Sequence, residues 1–148
     1  MKSEPSEFSI DDLSIKKIEP WDGIRNYQVR NMFRDLFKVG DHAFFYHSNT
    51  KEIGIVGEMK VVSKAYPDPT QFDSIHNHYD AKSKIENPRW LLVEVEFVKK
   101  FKKVITLQEL KELKSFKNSP LVRKGNRLSV VPIDSVQYKE ILSLAGKG

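Results

Sequence analysis

His42-Ala43-Phe44-Phe45-Tyr46-His47-Ser48-Asn49-Thr50-Lys51-Glu52-Ile53-Gly54-Ile55-Val56-Gly57-Glu58-Met59-Lys60-Val61 reads as two strands joined by a turn. Aromatic and β-branched residues suit the half-buried surface of a sheet, and Ser48-Asn49-Thr50-Lys51 is the polar break between the two runs. The expected strands are His42 to His47 and Ile53 to Ser63. Successive strand residues point to opposite faces, so at most half of the Phe44-Phe45-Tyr46 trio can face one ligand. Gly54 and Gly57 permit close approach of another backbone or of a ligand.

On the N-terminal side, Ser9 with Asp12 three positions later is a helix-start signal, which predicts a short helix over Ile10–Lys16 broken by Pro20 and Gly23. Val29, Met32, Phe33, Leu36 and Phe37 recur at helical spacing, predicting a helix over Arg25–Phe37 that ends before Gly40. On the C-terminal side, residues 65–90 contain Pro67, Pro69 and Pro88 and few periodic apolar positions, and are read as a long structured loop. Leu91 to Val98 alternates as a core strand, with Glu94 and Glu96 on its outer face. Thr106-Leu107-Gln108-Glu109 is a capping box for a helix to Lys114, Arg127 to Val131 reads as a strand, and Asp134–Leu144 as a final helix. The expected architecture is α+β, a curved mixed or antiparallel sheet covered by short helices. One domain is expected over residues 1–145, with 146–148 as a disordered tail.

Composition narrows the function. The chain has 148 residues with 39% apolar content and no cysteine, which excludes disulfides, cysteine-based zinc sites and thiol nucleophiles. No run of roughly 18 apolar residues and no charged-then-apolar leader is present, so a soluble intracellular chain is expected, with no membrane partner. Net charge is +5, and residues 99–127 carry ten Lys or Arg against Glu109 and Glu112 alone. Such a stripe is the electrostatic footprint of a phosphate-backbone contact, although a solvated lysine-rich face gives the same composition.

Trp21-Asp22-Gly23-Ile24-Arg25-Asn26-Tyr27-Gln28-Val29-Arg30-Asn31 combines flat rings with directional hydrogen-bonding groups. Trp21 and Tyr27 offer stacking faces, while Asp22, Asn26 and Gln28 can read the edge of a heteroaromatic ring. That mixture suits a pocket for a base. The competing reading of Trp21 is a core residue, and Arg25 and Arg30 can serve as structural partners of nearby carboxylates.

Seven stretches occur in order along nearly the whole chain: Lys2-Ser3-Glu4-Pro5, Trp21 to Gln28, Phe44 to Asn49, Gly54 to Gly57, Ala65 to Asp73, Pro88-Arg89-Trp90 and Gly125 to Val130. Together they resemble the successive motifs of the EVE domain. The resemblance implies a PUA-like fold, a small barrel-like sheet flanked by helices and related to YTH domains, and a role in reading modified bases, with modified cytosine in DNA the favoured ligand. By motif, Lys2, Ser3, Glu4, Trp21 and Asp22 then supply base-edge contacts and a first wall. Ser48 and Asn49 close the pocket, and Tyr66 is a second wall. Asn26, Tyr27 and Ser129 complete the expected base-binding set, and Lys100, Lys102, Lys103, Arg123, Lys124 and Arg127 the expected phosphate contacts. Two departures from the family pattern are that Lys2 directly follows Met1 and that Ala81 stands where proline is common.

The expected function is therefore a non-enzymatic, monomeric module without metal or cofactor, binding a modified base that is single-stranded or flipped out of a duplex. It would be cytoplasmic in a bacterium and nuclear in a eukaryote. The alternatives are an ASCH-like hydrolase using Lys2, Glu4 and Asp22 as an acid/base cluster, and a charge-driven nonspecific RNA-binding domain. His76-Asn77-His78 is a weak metal motif without further ligands, and the ligands of a zinc deaminase are missing.

Overall fold

A computed structural model describes residues 1–146. In chain order it contains β1 (Lys2–Ser3), α1 (Ile10–Lys16), β2 (Ile18–Pro20), α2 (Tyr27–Asp35), β3 (His42–His47) and β4 (Gly54–Val61). These are followed by β5 (Tyr66–Pro67), β6 (Leu91–Leu92), β7 (Glu94–Thr106), α3 (Leu107–Lys111) and α4 (Ser135–Gly146). The main sheet has the order β1-β3-β4-β7-β2 and curls into a half-barrel, and β5 and β6 form a separate two-stranded ribbon. β1 runs parallel to β3, while the other pairs in the main sheet are antiparallel.

Alternation along the central strands builds two cores. Phe45, Val56, Met59, Val61, Val93 and Val95 face one side with Ile10, Leu13, Trp21, Val29 and Phe33. Phe44, Tyr46, Ile55, Phe101 and Ile105 face the other with Leu110, Phe116 and Ile141. The aromatic trio of β3 is thus split between faces, as a period of two requires. At Gly57 an added Cβ would lie 2.4 Å from the Lys99 carbonyl oxygen, so the close approach of β4 and β7 depends on glycine.

The expected α1 is present with a reciprocal capping box between Ser9 and Asp12. α2 is shorter than the apolar spacing predicts, because Asn26 caps its start by accepting from the Val29 N–H and Leu36 already caps its end. Leu36, expected on the buried face, is 64% exposed. The strand expected over Leu91–Val98 divides at Val93, where β6 leaves for β5, and β7 instead continues to Thr106. Its lysines hide the alternation: Phe101 and Ile105 are buried while Lys99, Lys100, Lys102 and Lys103 are exposed. No strand forms over Arg127–Val131. The segment contributes one rung, the Ser129 carbonyl accepting the Lys2 N–H at 2.7 Å. Gly146, expected in the tail, ends α4, and residues 147–148 lie outside the described residues.

Candidate nucleic-acid interface

The parallel register of β1 on β3, Lys2 beside Tyr46 and Ser3 beside His47, brings the Lys-Ser-Glu motif to the end of the first hairpin. There the Ser48 N–H donates to the Ser3 carbonyl at 3.0 Å, and Asn49 Nδ2 donates to Glu4 Oε1 at 2.9 Å. Asn49 reaches this position with φ of 50°, a left-handed conformation that asparagine tolerates. Ser129 joins from behind through its carbonyl bond to Lys2. Lys2, Ser3, Glu4, Ser48, Asn49 and Ser129 therefore share one corner. Within it the side chains of β1 diverge: Lys2 Nζ lies 5.7 Å from the Tyr46 ring, whereas Ser3 Oγ donates to the Phe8 carbonyl at 2.7 Å. Burial lowers the pKa of Lys2.

Next to this corner His47 Nε2 accepts the Ile10 N–H at 3.1 Å, a bond that needs an unprotonated nitrogen. Burial lowers the His47 pKa and Lys100 adds to the effect, against an opposing pull from Asp11. The same Asp11 accepts from Lys100 at 2.7 Å. Lys100 thus flanks the corner on one side. Arg123, Lys124 and Arg127 are exposed on the loop that leads into Ser129 on the other, and Lys102 and Lys103 project from β7.

Trp21 lies in the core beside Phe8, whose carbonyl accepts from Ser3. It is 7% exposed, and its ring meets Phe45 at 5.3 Å and Phe8 at 6.5 Å, nearly perpendicular to both. Its faces are packed in the core, and Phe8 stands between it and Ser3. Asp22 is exposed. Its pKa is raised by the low-dielectric bulk around it and by Asp68, with His78 and His76 pulling the other way. Asn26 spends its side-chain oxygen on capping α2. Tyr27 is half exposed, tilted on Trp90 at 4.7 Å and covered by the Arg30 guanidinium at 4.8 Å. Tyr66 is exposed at the start of the long loop, and burial and the Glu94 carboxylate raise its pKa.

Sequence reasoning passed over Asp68, the residue that joins these parts. It is fully buried and accepts from the Gly23 N–H at 2.8 Å, Arg25 Nη1 at 3.0 Å, the Thr70 N–H at 2.8 Å and Thr70 Oγ1 at 2.6 Å. Burial opposes its charge, but the hydrogen bonds from Thr70, Gly23 and Arg25 outweigh it and lower the pKa. Arg25 also donates twice to the His78 carbonyl, which ties the Trp21–Asn26 turn to the far end of the loop. The available signal was Asp68-Pro69-Thr70, an acidic residue two before a threonine with proline between, the pattern of an Asx turn opening a 3₁₀ segment.

Gly23, with φ of 78°, accommodates the His78 ring, against which any Cβ would collide at 2.5 Å. Among the described residues no group of three or more His, Cys, Asp or Glu can hold a metal ion, and no helix is long and apolar enough to cross a membrane. A hollow of about 640 Å³ lies on the Lys2 side of β1, between α2, β3 and the 130–135 stretch, away from Trp21.

The sequence profile of the EVE domain matches residues 1–144. The chain belongs to the EVE-domain family. Human thymocyte nuclear protein 1 is 45% identical to it, in an alignment covering 99% of this chain and 73% of that protein. An EVE-type structure of human THYN1 protein in complex with 5-methylcytosine-containing DNA superimposes with a TM-score of 0.89 at 44% identity, covering 100% of this chain and 96% of that one. A crystal structure from Pseudomonas syringae agrees still more closely, with a TM-score of 0.93 at 47% identity over 98% of this chain and 97% of the other. The half-barrel and its helices are therefore the EVE fold.

Proposed function

We propose that this chain is a DNA-binding EVE domain that reads a modified cytosine, taken from a single strand or flipped from a duplex, without performing chemistry on it. The observation that carries the reading is the superposition, end to end, on the human THYN1 protein bound to DNA containing 5-methylcytosine. The corner built by Lys2, Ser3, Glu4, Ser48, Asn49 and Ser129 supplies what such a ligand needs. A carboxylate such as Glu4 accepts from the exocyclic amine of cytosine, Asn49 and the Ser48 hydroxyl serve its ring nitrogen and carbonyl, and Ser3, whose hydroxyl donates to the Phe8 carbonyl, shapes the corner. Trp21 acts as the back wall behind Phe8, and Asp22, Asn26, Tyr27 and Tyr66 line the approach. With the Trp21 ring enclosed, stacking falls to the exposed ring of Tyr66, and a base stacked there recovers roughly 1–3 kcal/mol of its unstacking cost. Lys100, Lys102, Lys103, Arg123, Lys124 and Arg127 contact phosphates on either side, and the module acts as a monomer.

The test is fluorescence anisotropy with matched single-stranded and duplex oligonucleotides carrying cytosine or 5-methylcytosine. One buried methyl is worth on the order of 1 kcal/mol, so a preference of roughly five-fold is expected. Glu4→Gln and Asn49→Ala should erase the preference while leaving weak, salt-sensitive binding. Equal affinity for both bases in both strand forms would refute base reading, and the absence of any salt-sensitive DNA binding would refute the function outright.

A further inference from the structure

At the opposite end of β3 from this corner, the close of α2 exposes two aliphatic side chains, Leu36 at 64% and Val39 at 58%. They stand on a ridge between two hollows, and Phe37 lines both. The hollow on one side, about 400 Å³, is floored by Phe33, Phe37, Ala65 and Leu91, and its rim carries Arg34, Lys38 and Lys64. Arg34 is paired with its neighbour Asp35 at 2.8 Å. Lys38 and Lys64 have no ion pair among the described residues. The surface thus couples aliphatic side chains in water to an apolar floor with these two lysines, Lys38 and Lys64, on its rim, while the Asp41 carboxylate at the same end accepts the Lys38 N–H.

We propose that this ridge and its basic hollow dock an acidic peptide segment of a partner protein, with bulky apolar side chains as its anchors. The apolar part of the surface selects the class of partner. Leu36 and Val39 gain by removal from water, about 25 cal/mol for each Å² of apolar area, and only apolar side chains can cover them. A phosphate backbone offers Lys38 and Lys64 their counter-charge but leaves the ridge wet. A second copy of the chain docking through the same face would bring like charges together, which disfavours self-association. The basic hollow contains none of the corner residues and the length of β3, roughly 20 Å at strand rise, lies between it and Ser48–Asn49, whereas the hollow on the other side of the ridge reaches Lys2 and is left open by the peptide. The proposal is independent of the DNA reading.

The experiment selects a random displayed peptide library on the purified full chain and measures synthetic winners by fluorescence anisotropy. Peptides combining several Asp or Glu with Leu, Phe or Trp are expected. Their affinity should fall at least ten-fold in Lys38→Glu/Lys64→Glu and in Leu36→Ser/Val39→Ser, and stay unchanged in Glu4→Gln/Asn49→Ala. All four ridge positions are exposed, so folding is retained, and circular dichroism confirms it. Selection without an acidic–apolar consensus, or winners that bind both ridge variants as tightly as the parent chain, overturns the proposal. So does displacement of the peptide by an oligonucleotide, which makes the ridge part of a DNA footprint, or a concentration-dependent dimer abolished by Leu36→Ser, which makes it a self-interface.

Discussion

Replacing Asp68 by asparagine is the sharpest test of how the candidate interface is held together. The side chain keeps its shape but not its capacity. Two carboxylate oxygens receive four donors, from Gly23, Arg25, the Thr70 amide and the Thr70 hydroxyl. An amide keeps one of those oxygens and turns an NH₂ group toward the donors at the other. It also leaves Arg25 without its counter-ion. Breaking a buried ion pair by removing one partner costs about 3–5 kcal/mol. Arg25 is 21% exposed, so water recovers part of that, and a loss of about 2–4 kcal/mol is expected. For a chain of this length each kcal/mol moves the midpoint by roughly 2–4 °C, so the Tm should fall by roughly 10 °C.

Urea unfolding at a series of pH values is the assay, because the sign of the pH dependence checks the cause. The folded pKa of Asp68 lies below its ordinary 3.8, so its stabilisation is present above that value and is lost as pH falls through the folded pKa. The gap between parent and Asp68→Asn should be constant near neutrality and close in acid below about pH 4. A gap under about 0.5 kcal/mol at neutral pH, or one that persists unchanged in acid, refutes this account of the loop anchor.

Other expectations follow from single contacts. Glu58 is buried and accepts from both Tyr138 Oη and His42 Nδ1, and burial with that carboxylate pushes the Tyr138 phenol up to about 12. Its contribution to stability is present below pH 10 and lost as pH rises toward 12; Glu58→Gln should move the late tyrosinate absorbance step to lower pH. Gly57→Ala forces a Cβ to within 2.4 Å of the Lys99 carbonyl, so β4 and β7 must part, costing about 1–3 kcal/mol in thermal melts; an unchanged Tm would contradict the close approach. The His47 imidazole, held neutral by burial and its bond to the Ile10 N–H, should titrate below 6.5 by NMR. Its stabilisation is present above 6.5 and is lost as pH falls through the folded pKa. Thr106→Ala removes one half of the α3 capping box and should cost about 1 kcal/mol in urea unfolding.

What could be read from the sequence and what could not divides by the physics involved. β3, α1 and the start of α3 were legible because each rests on contiguous signals, a period of two or a cap with its partner three residues on. β1 and β2 were not, since strands of two and three residues have no period to detect and exist only through their register on β3 and β7. The corner of Lys2, Ser3, Glu4, Ser48 and Asn49 was assembled from motif resemblance, and the geometry supplies its cause in the parallel β1–β3 pairing.

The long loop was the least legible, because buried polar bonds rather than apolar periodicity order it. Gln71, fully buried, donates to the carbonyls of Asp68 and Trp90 and accepts from Ser83 Oγ and the Trp90 N–H. A glutamine in a polar stretch carries no sign in one dimension that it will be fully enclosed. Asp68 and Gln71 work through one connected set of bonds, so a defect in either should loosen Asp22, Tyr66 and the His78 turn together. That coupling explains why the segment from Trp21 to Asn31 looked overloaded with polar groups. Several of them, Arg25 and Asn26 above all, are committed to holding the loop and the helix, and the side chains left free to meet a ligand are fewer than the composition suggests.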